Sequence, residues 1–318
     1  MSDPIAPIPG ADALLAQADA LHDDEPARAL ELLRAIDVAA LEAAKLGRLS
    51  FLLDHVTGEK FGLWDEAVDG QRRVVARAGA QRTPLILRHA AIAAHMAADD
   101  ALAREWTRAL AASADAPPDK ARALVVLGAL QFSLSRLTAE AAGRQALHAL
   151  QPLGDLLEAP GSGLDAAFGA VTSNIASQLL ERPLPDLAQA DLREALARAA
   201  ELARRFWAHA GSWVNHERAH YLGAMAANAL GDGDAGVAHA RAGLTLLDEC
   251  DIDNVESVDR AFLELELAAS LRLAGQPGRP EALARALALA SRFGEPWLDR
   301  WFSERQTRNE ALAAHYDR

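Results

Sequence analysis

The chain has 318 residues, 51% of them hydrophobic and 24% charged, which is the make-up of a globular protein with ample material for a core. Its formal net charge is −13. A chain this acidic lacks the basic face that phosphate neutralisation requires, which argues against a general nucleic-acid role. Aromatic residues make up only 5%, so a core must be built from Ala and Leu, which suits close helix–helix contact better than a sheet.

The N-terminal "MSDPIAPIPG" has neither a positive n-region nor an apolar h-region, and residues 1–10 are expected to be a flexible leader. From Ala11 onward apolar residues recur at spacings of three and four, with Arg, Glu, Asp and Gln between them, which predicts helix after helix. "ALLAQADALH" is followed by "EPARALELLRAI", where Pro26 suits a first turn. "ALEAAKLGRLSFLLDHV" and "LWDEAVDGQRRVVARA" flank a turn at Gly58 to Gly62. "TPLILRHAAIAAHMA" pairs with "DALAREWTRALAASA" and, after "DAPPD", "KARALVVLGALQFSL" pairs with "TAEAAGRQALHAL". The regularity lapses at "QPLGDLLEAPGSGLD", the candidate hinge near 151–165.

Helices resume with "AAFGAVTSNIASQLLE" and "ADLREALARAAELARRFWAHA". "NHERAHYLGAMAANAL" and "DAGVAHARAGLTLLDE" meet at a tight "GDGD" turn, and "VESVDRAFLELELAASLRLA" precedes "PEALARALALASRF". The last helix carries Trp297, Leu298, Trp301 and Phe302 on one side and Arg300, Glu304 and Arg305 spread over the other, the pattern of a cap over the end of an array, with an exposed aromatic docking site as the alternative. No alternating strand pattern of useful length occurs. The expected class is all-α, with a single repeat domain over 11–318.

Lys45, Lys60 and Lys120 are the only lysines, so nearly all the positive charge is arginine. A GC-rich coding bias accounts for this, with bidentate carboxylate or phosphate recognition as the functional alternative. Cys250 is the only cysteine, which excludes an intramolecular disulfide and any Cys-based metal site. It stands in "LDECDID", where carboxylates oppose thiolate formation, and is expected to be partly buried. No stretch of about 18 apolar residues lacks charge, so no membrane span is expected and a cytoplasmic protein follows.

Paired helices with small residues at matching places resemble the tetratricopeptide repeat family. The resemblance rests on "GLWDEA" at 62–67, "LG" at Leu127–Gly128 and the "GD" turn at Gly231–Asp232. It implies a right-handed α-solenoid of antiparallel helix pairs, with Ala67, Ala224, Gly236 and Gly243 at the family's small positions. The repeats are degenerate: most large aromatic positions and repeat-ending prolines are missing, and the spacing wanders. HEAT-like and other helical-repeat subclasses stay open.

One short motif carries chemistry. His216-Glu217-x-x-His220 is the HExxH spelling, in which two histidines one turn apart bind zinc and the glutamate acts as general base. Asp248 or Glu249 could supply a third ligand. Against this stand Arg218 inside the motif and the lack of a strand to hold a substrate, so two ordinary helix histidines are the preferred reading. "APGSG" lacks the lysine of a phosphate loop, and "DGDAG" and "DIDNVESVD" miss calcium-loop spacing.

In such solenoids the first helix of each pair lines the concave face. The resemblance projects Arg88, His89, His95, Arg122, Asn174, Gln178, Arg218, Tyr221 and Asn228 onto it. These types suit directional bonds to carboxylates and extended backbone. The leading expectation is a non-catalytic scaffold that binds a protein or an acidic peptide segment, with no cofactor, nucleic-acid or membrane partner implied. A helical zinc hydrolase at 216–220 and a ligand-sensing solenoid are the alternatives.

Overall fold

The computed structural model describes residues 10–158 and 161–316. The leader expected at 1–10 therefore lies outside the described residues except for Gly10. Among the described residues all regular structure is helical, and the helices pack in consecutive pairs. None of them is long and apolar enough to cross a membrane. The span expected to be one domain divides into two compact units, Met1–Ser133 with Ser162–Leu164, and Leu134–Gly161 with Asp165–Arg318. Part of the stretch expected to be a hinge, 153–158, is instead a short helix.

The first unit contains α1 (Ala11–Leu21), α2 (Pro26–Ala35), α3 (Leu46–Leu52), α4 (Trp64–Ala78), α5 (Pro84–Met96), α6 (Asp100–Ser113) and α7 (Pro118–Ser133). Side-chain caps start two of them: the Thr83 hydroxyl accepts from Ile86 N–H ahead of Pro84, and Asp99 accepts from Leu102 N–H. Leu14, Leu33, Leu49, Leu52, Val56 and Val74 fill the core, each fully buried Leu contributing about 1.5–3 kcal/mol of transfer free energy. Helix α5 packs on α3, α4, α6 and α7, so it is the central element. At Gly128 on α7 a Cβ would stand 2.3 Å from Ile92 Cδ1, so a larger residue there would force the Ile92 side chain on α5 to move.

One segment of this unit departs from the expected pattern. The sequence predicts a plain α-helix through "SFLLDHV", but α3 continues as an eight-residue π-helix, Leu53–Lys60. Runs of i→i+5 bonding are rare and concentrate at functional sites. Here the wider turn places Asp54 fully inside while His55, Glu59 and Lys60 reach the surface region. Trp64 packs across the segment so tightly that a Cβ at Gly58 would meet its ring at 2.3 Å.

The second unit contains α8 (Ala139–Leu150), α9 (Leu153–Glu158), α10 (Asp165–Leu180), α11 (Ala190–Ala210), α12 (Trp213–Leu230), α13 (Gly233–Cys250), α14 (Ser257–Leu273), α15 (Arg279–Ala290) and α16 (Pro296–Tyr316). The pairs α10/α11, α12/α13 and α14/α15 follow one another, and their first helices also touch, α10 on α12 and α12 on α14. Ser212 and Asn215 form a capping box at the start of α12, and Gly231 ends it with φ 78°. Gly236 and Gly243, assigned to small positions, sit where a Cβ would be 2.5 Å from Ser270 Oγ and 2.9 Å from a Leu263 methyl. Ala67 and Ala224 are completely buried.

The last helix does not have one apolar and one polar side. Leu298 and Phe302 are buried, but Trp297 and Trp301 remain 53% and 45% exposed. Arg305, expected on the solvent side, is buried and donates from Nε and Nη2 to Glu266 on α14 at 2.6 and 2.9 Å. Cys250, expected to be partly buried, is exposed.

Candidate functional site

In the first unit, helix α5 carries three of the residues projected onto a groove, and they do not share a face. A one-residue step turns the helix by about 100°, so Arg88 and His89 diverge. His89 is interior: its Nδ1 lies 2.8 Å from Asp54 Oδ2. The other Asp54 oxygen accepts from Gln71 Nε2 at 2.7 Å, and Gln71 accepts from the Ser50 hydroxyl at 2.6 Å. Burial pushes the Asp54 carboxyl up and the His89 imidazole down, so both are driven towards their neutral forms. Arg88 is half-buried, with Nη2 3.4 Å from His89 Nε2. These residues form a packed polar network around the π-helix and leave little for a partner to grip.

His95 and Arg122 behave differently. Both are exposed, and both line one cavity of about 520 Å³ formed by the end of α5, the outer face of α6 and the start of α7. Arg104 and Arg108, one turn apart on α6, face the same space, with Thr107, Val125 and Val126 completing an apolar floor and wall. Among the described residues no carboxylate lies within ion-pair distance of Arg104 or Arg108. Arg122 meets Asp119 at 3.3 Å, but both side chains are more than 70% exposed, a pairing of little strength. Asp100 is the one acid in the lining. Arg104 and Arg108 lie on α6, the second helix of its pair, outside the first helices that the resemblance projects inward. Their i, i+4 spacing in "AREWTRAL" was the available signal.

In the second unit the projected residues scatter. Asn228 is fully buried: its Nδ2 donates to Glu266 Oε2 at 2.8 Å, and its Oδ1 accepts from the Ser270 hydroxyl at 2.7 Å. It therefore belongs to the core network that also holds Arg305, and the groove assignment for Asn228, like that for His89, is corrected. A register chosen from sequence turns a polar residue outward by default, but a satisfied buried network stabilises it inside. Arg218 is exposed yet already paired, with Asp259 at 2.7 Å and Glu256 at 3.3 Å. Asn174 is exposed and Gln178 half-buried. The Tyr221 hydroxyl is buried without a hydrogen-bond partner among the described residues and borders a 420 Å³ cavity with Arg305, Arg308 and Trp301.

In the HExxH stretch His216 and His220 border one cavity of about 360 Å³ with Arg204 and Thr245, while Glu217 is enclosed away from it. His216 Nε2 lies 2.8 Å from the Trp207 carbonyl, and His220 Nδ1 lies 3.2 Å from His239 Nδ1. Glu217 is completely buried, and burial, then Asp259, push its carboxyl up to about 8. Burial and His239 push His220 down to about 4. Asp248 is bound to Arg260 at 2.7 Å, and Glu249 is exposed. Glu217 is enclosed beside Asp259 whereas the histidines border an open cavity, so its carboxyl is not placed to act as base on water they would hold, and this geometry does not favour zinc hydrolysis. Among the described residues, one group of three ligand-type side chains lies close enough to share a metal ion, and it is His22, Asp23 and His55 in the first unit.

No protein-family model matches the chain, and no curated protein matches it in sequence.

Proposed function

We propose that this protein is a non-catalytic cytoplasmic adaptor, a right-handed, tetratricopeptide-like solenoid that binds an acidic peptide segment in the α5–α7 cavity of its first unit. The observation that carries the reading is the convergence of Arg104, Arg108, Arg122 and His95 on one open cavity in a chain of net charge −13. Guanidinium groups left without carboxylate partners are matched to peptide carboxylates, which they hold bidentately. The apolar Val125 and Val126 offer contact for the side chains between the acids. The solenoid form rests on the stacked helix pairs, and the cytoplasmic location on a lone exposed thiol, which suits a reducing compartment.

The test is fluorescence anisotropy with a labelled Asp/Glu-rich peptide and its Asn/Gln analogue. The wild type should prefer the acidic peptide, and Arg104→Glu/Arg108→Glu should weaken it by at least about tenfold, since each charge-assisted bond contributes about 1.5–3 kcal/mol. Equal binding of both peptides, or no loss in the variant, would sink the proposal. Arg88 and Arg218 are unsuitable probes, because one is enclosed by the Asp54 network and the other is paired with Asp259.

A further inference from the structure

We infer that His22, Asp23 and His55 form a binding site for a divalent transition-metal ion of the zinc type, where the end of α1 meets the π-helix. The candidate ligand atoms of the three side chains all lie within 4.8 Å of one another. His22 Nε2 is 3.3 Å from Asp23 Oδ2, and His55 Nε2 is 3.5 Å from Asp23 Oδ1. With metal–ligand bonds of about 2.0–2.1 Å, two ligand atoms of a tetrahedral zinc site are about 3.3–3.4 Å apart. Both separations are close to those edges but run to different Asp23 oxygens, and the three ligand atoms lie within 4.8 Å of one another, so sharing one ion through one oxygen needs a turn of the exposed carboxylate and an inward shift of the rings.

The outer contacts point the same way. The Nδ1 of His22 lies 2.5 Å from the Asp19 carbonyl, and the Nδ1 of His55 lies 2.6 Å from Glu59 Oε2. An acceptor on Nδ1 keeps the proton there and leaves the Nε2 lone pair available, and in both rings Nε2 is the atom that faces Asp23. Carbonyl or carboxylate support behind a ligand histidine is the usual second layer of a metal site. Phe51 holds the rings in place, stacked on His55 at 5.3 Å and edge-on to His22 at 6.4 Å. Two imidazoles and one carboxylate favour zinc, cobalt or nickel over magnesium or calcium, which take oxygen ligands. The sequence hides the group, since Asp23 and His55 are 32 positions apart and meet only where the end of α1 packs beside the π-helix.

One group opposes the ion. Lys60 Nζ donates to Asp23 Oδ1 at 2.9 Å, so a metal must displace it, and Lys60, partly exposed on the last π-helical turn, has a flexible stem that allows this. That competition gives the test its sign. Full-length, untagged protein is titrated with Zn²⁺ against a chromophoric chelator and with Co²⁺ by visible absorption. Wild type should take one ion per chain. His22→Ala/His55→Ala should abolish binding, and Asp23→Asn, at an exposed position where folding is not at stake, should weaken it at least tenfold. Glu59→Gln should weaken it about ten- to hundredfold. Lys60→Met should tighten it, and His216→Ala/His220→Ala should leave it unchanged. Absent saturable binding in wild type, unchanged affinity in folded Asp23→Asn, or weaker binding in Lys60→Met would overturn the inference.

Discussion

Glu217 shows how much one side chain's surroundings decide. Its carboxyl is enclosed beside Asp259 and Glu256, with Arg218 spending its guanidinium on those two acids, and its folded pKa rises from an ordinary carboxylate value to about 8. The neutral form is therefore the one the folded state prefers. Stability from this group is fully present below the unfolded pKa near 4.5 and is lost as pH rises through 8, a change on the order of 5 kcal/mol at about 1.4 kcal/mol per unit. His220 works in the opposite sense. Its folded pKa falls to about 4, so its contribution is present above about 6.5 and is lost as pH falls towards 4. Glu217→Gln isolates the first effect: denaturant unfolding should show the variant more stable than wild type at pH 8 and nearly equal at pH 5. Equal stability at both values would show that the carboxyl is not held neutral.

At the scale of elements, the C-terminal helix is held by a charge pair that its sequence gives no reason to expect. Glu266 receives both nitrogens of the Arg305 fork and also accepts from Asn309 and Asn228, so one carboxylate links α12, α14 and α16. Removing one partner of a buried pair leaves an uncompensated charge, which costs about 3–5 kcal/mol. Arg305→Met should destabilise the protein by that order and raise amide exchange along α16. Glu266→Gln/Arg305→Met should recover part of the loss, because the new amide oxygen still accepts from Asn228, its NH2 can donate to the Asn309 oxygen once that amide flips, and no charge stays buried. A double variant no better than the single one would show that Arg305 acts through packing. The exposed Trp297 and Trp301 are the counterpart of this arrangement: α16 turns its polar Arg305 and Asn309 inward and leaves aromatic surface outside.

For the whole molecule, charge and site oppose each other. A net charge of −13 repels an acidic peptide at long range, while the arginines of the α5–α7 cavity attract it at contact. Salt screens exposed charges beyond a distance of about 10 Å at 0.1 M. Added salt should therefore weaken the complex through faster dissociation without slowing association, the reverse of a steered encounter. Stopped-flow measurement over a salt series checks this, and an association rate that falls steeply with salt would show that the local cluster governs the approach.

The amino-acid sequence by itself determined the class and the punctuation. Ala- and Leu-rich periodicity, Pro26 in a first turn and the turn at Gly231 act within a few residues, so their consequences can be read locally. Charge composition likewise needed no fold. The register of polar residues did not yield in this way. His89 and Asn228 read as surface groups until Asp54 and Glu266, 35 and 38 residues away, were seen to satisfy them inside. Likewise the two histidines of HExxH do share a face, but Glu217 is buried away from it beside Asp259, a partner 42 positions on. Arg104 joins His95 and Arg122, and His22 joins His55, only because separate helices pack together. Whether a polar side chain is buried, paired or free depends on partners distant in the chain, and tertiary packing alone brings them into contact.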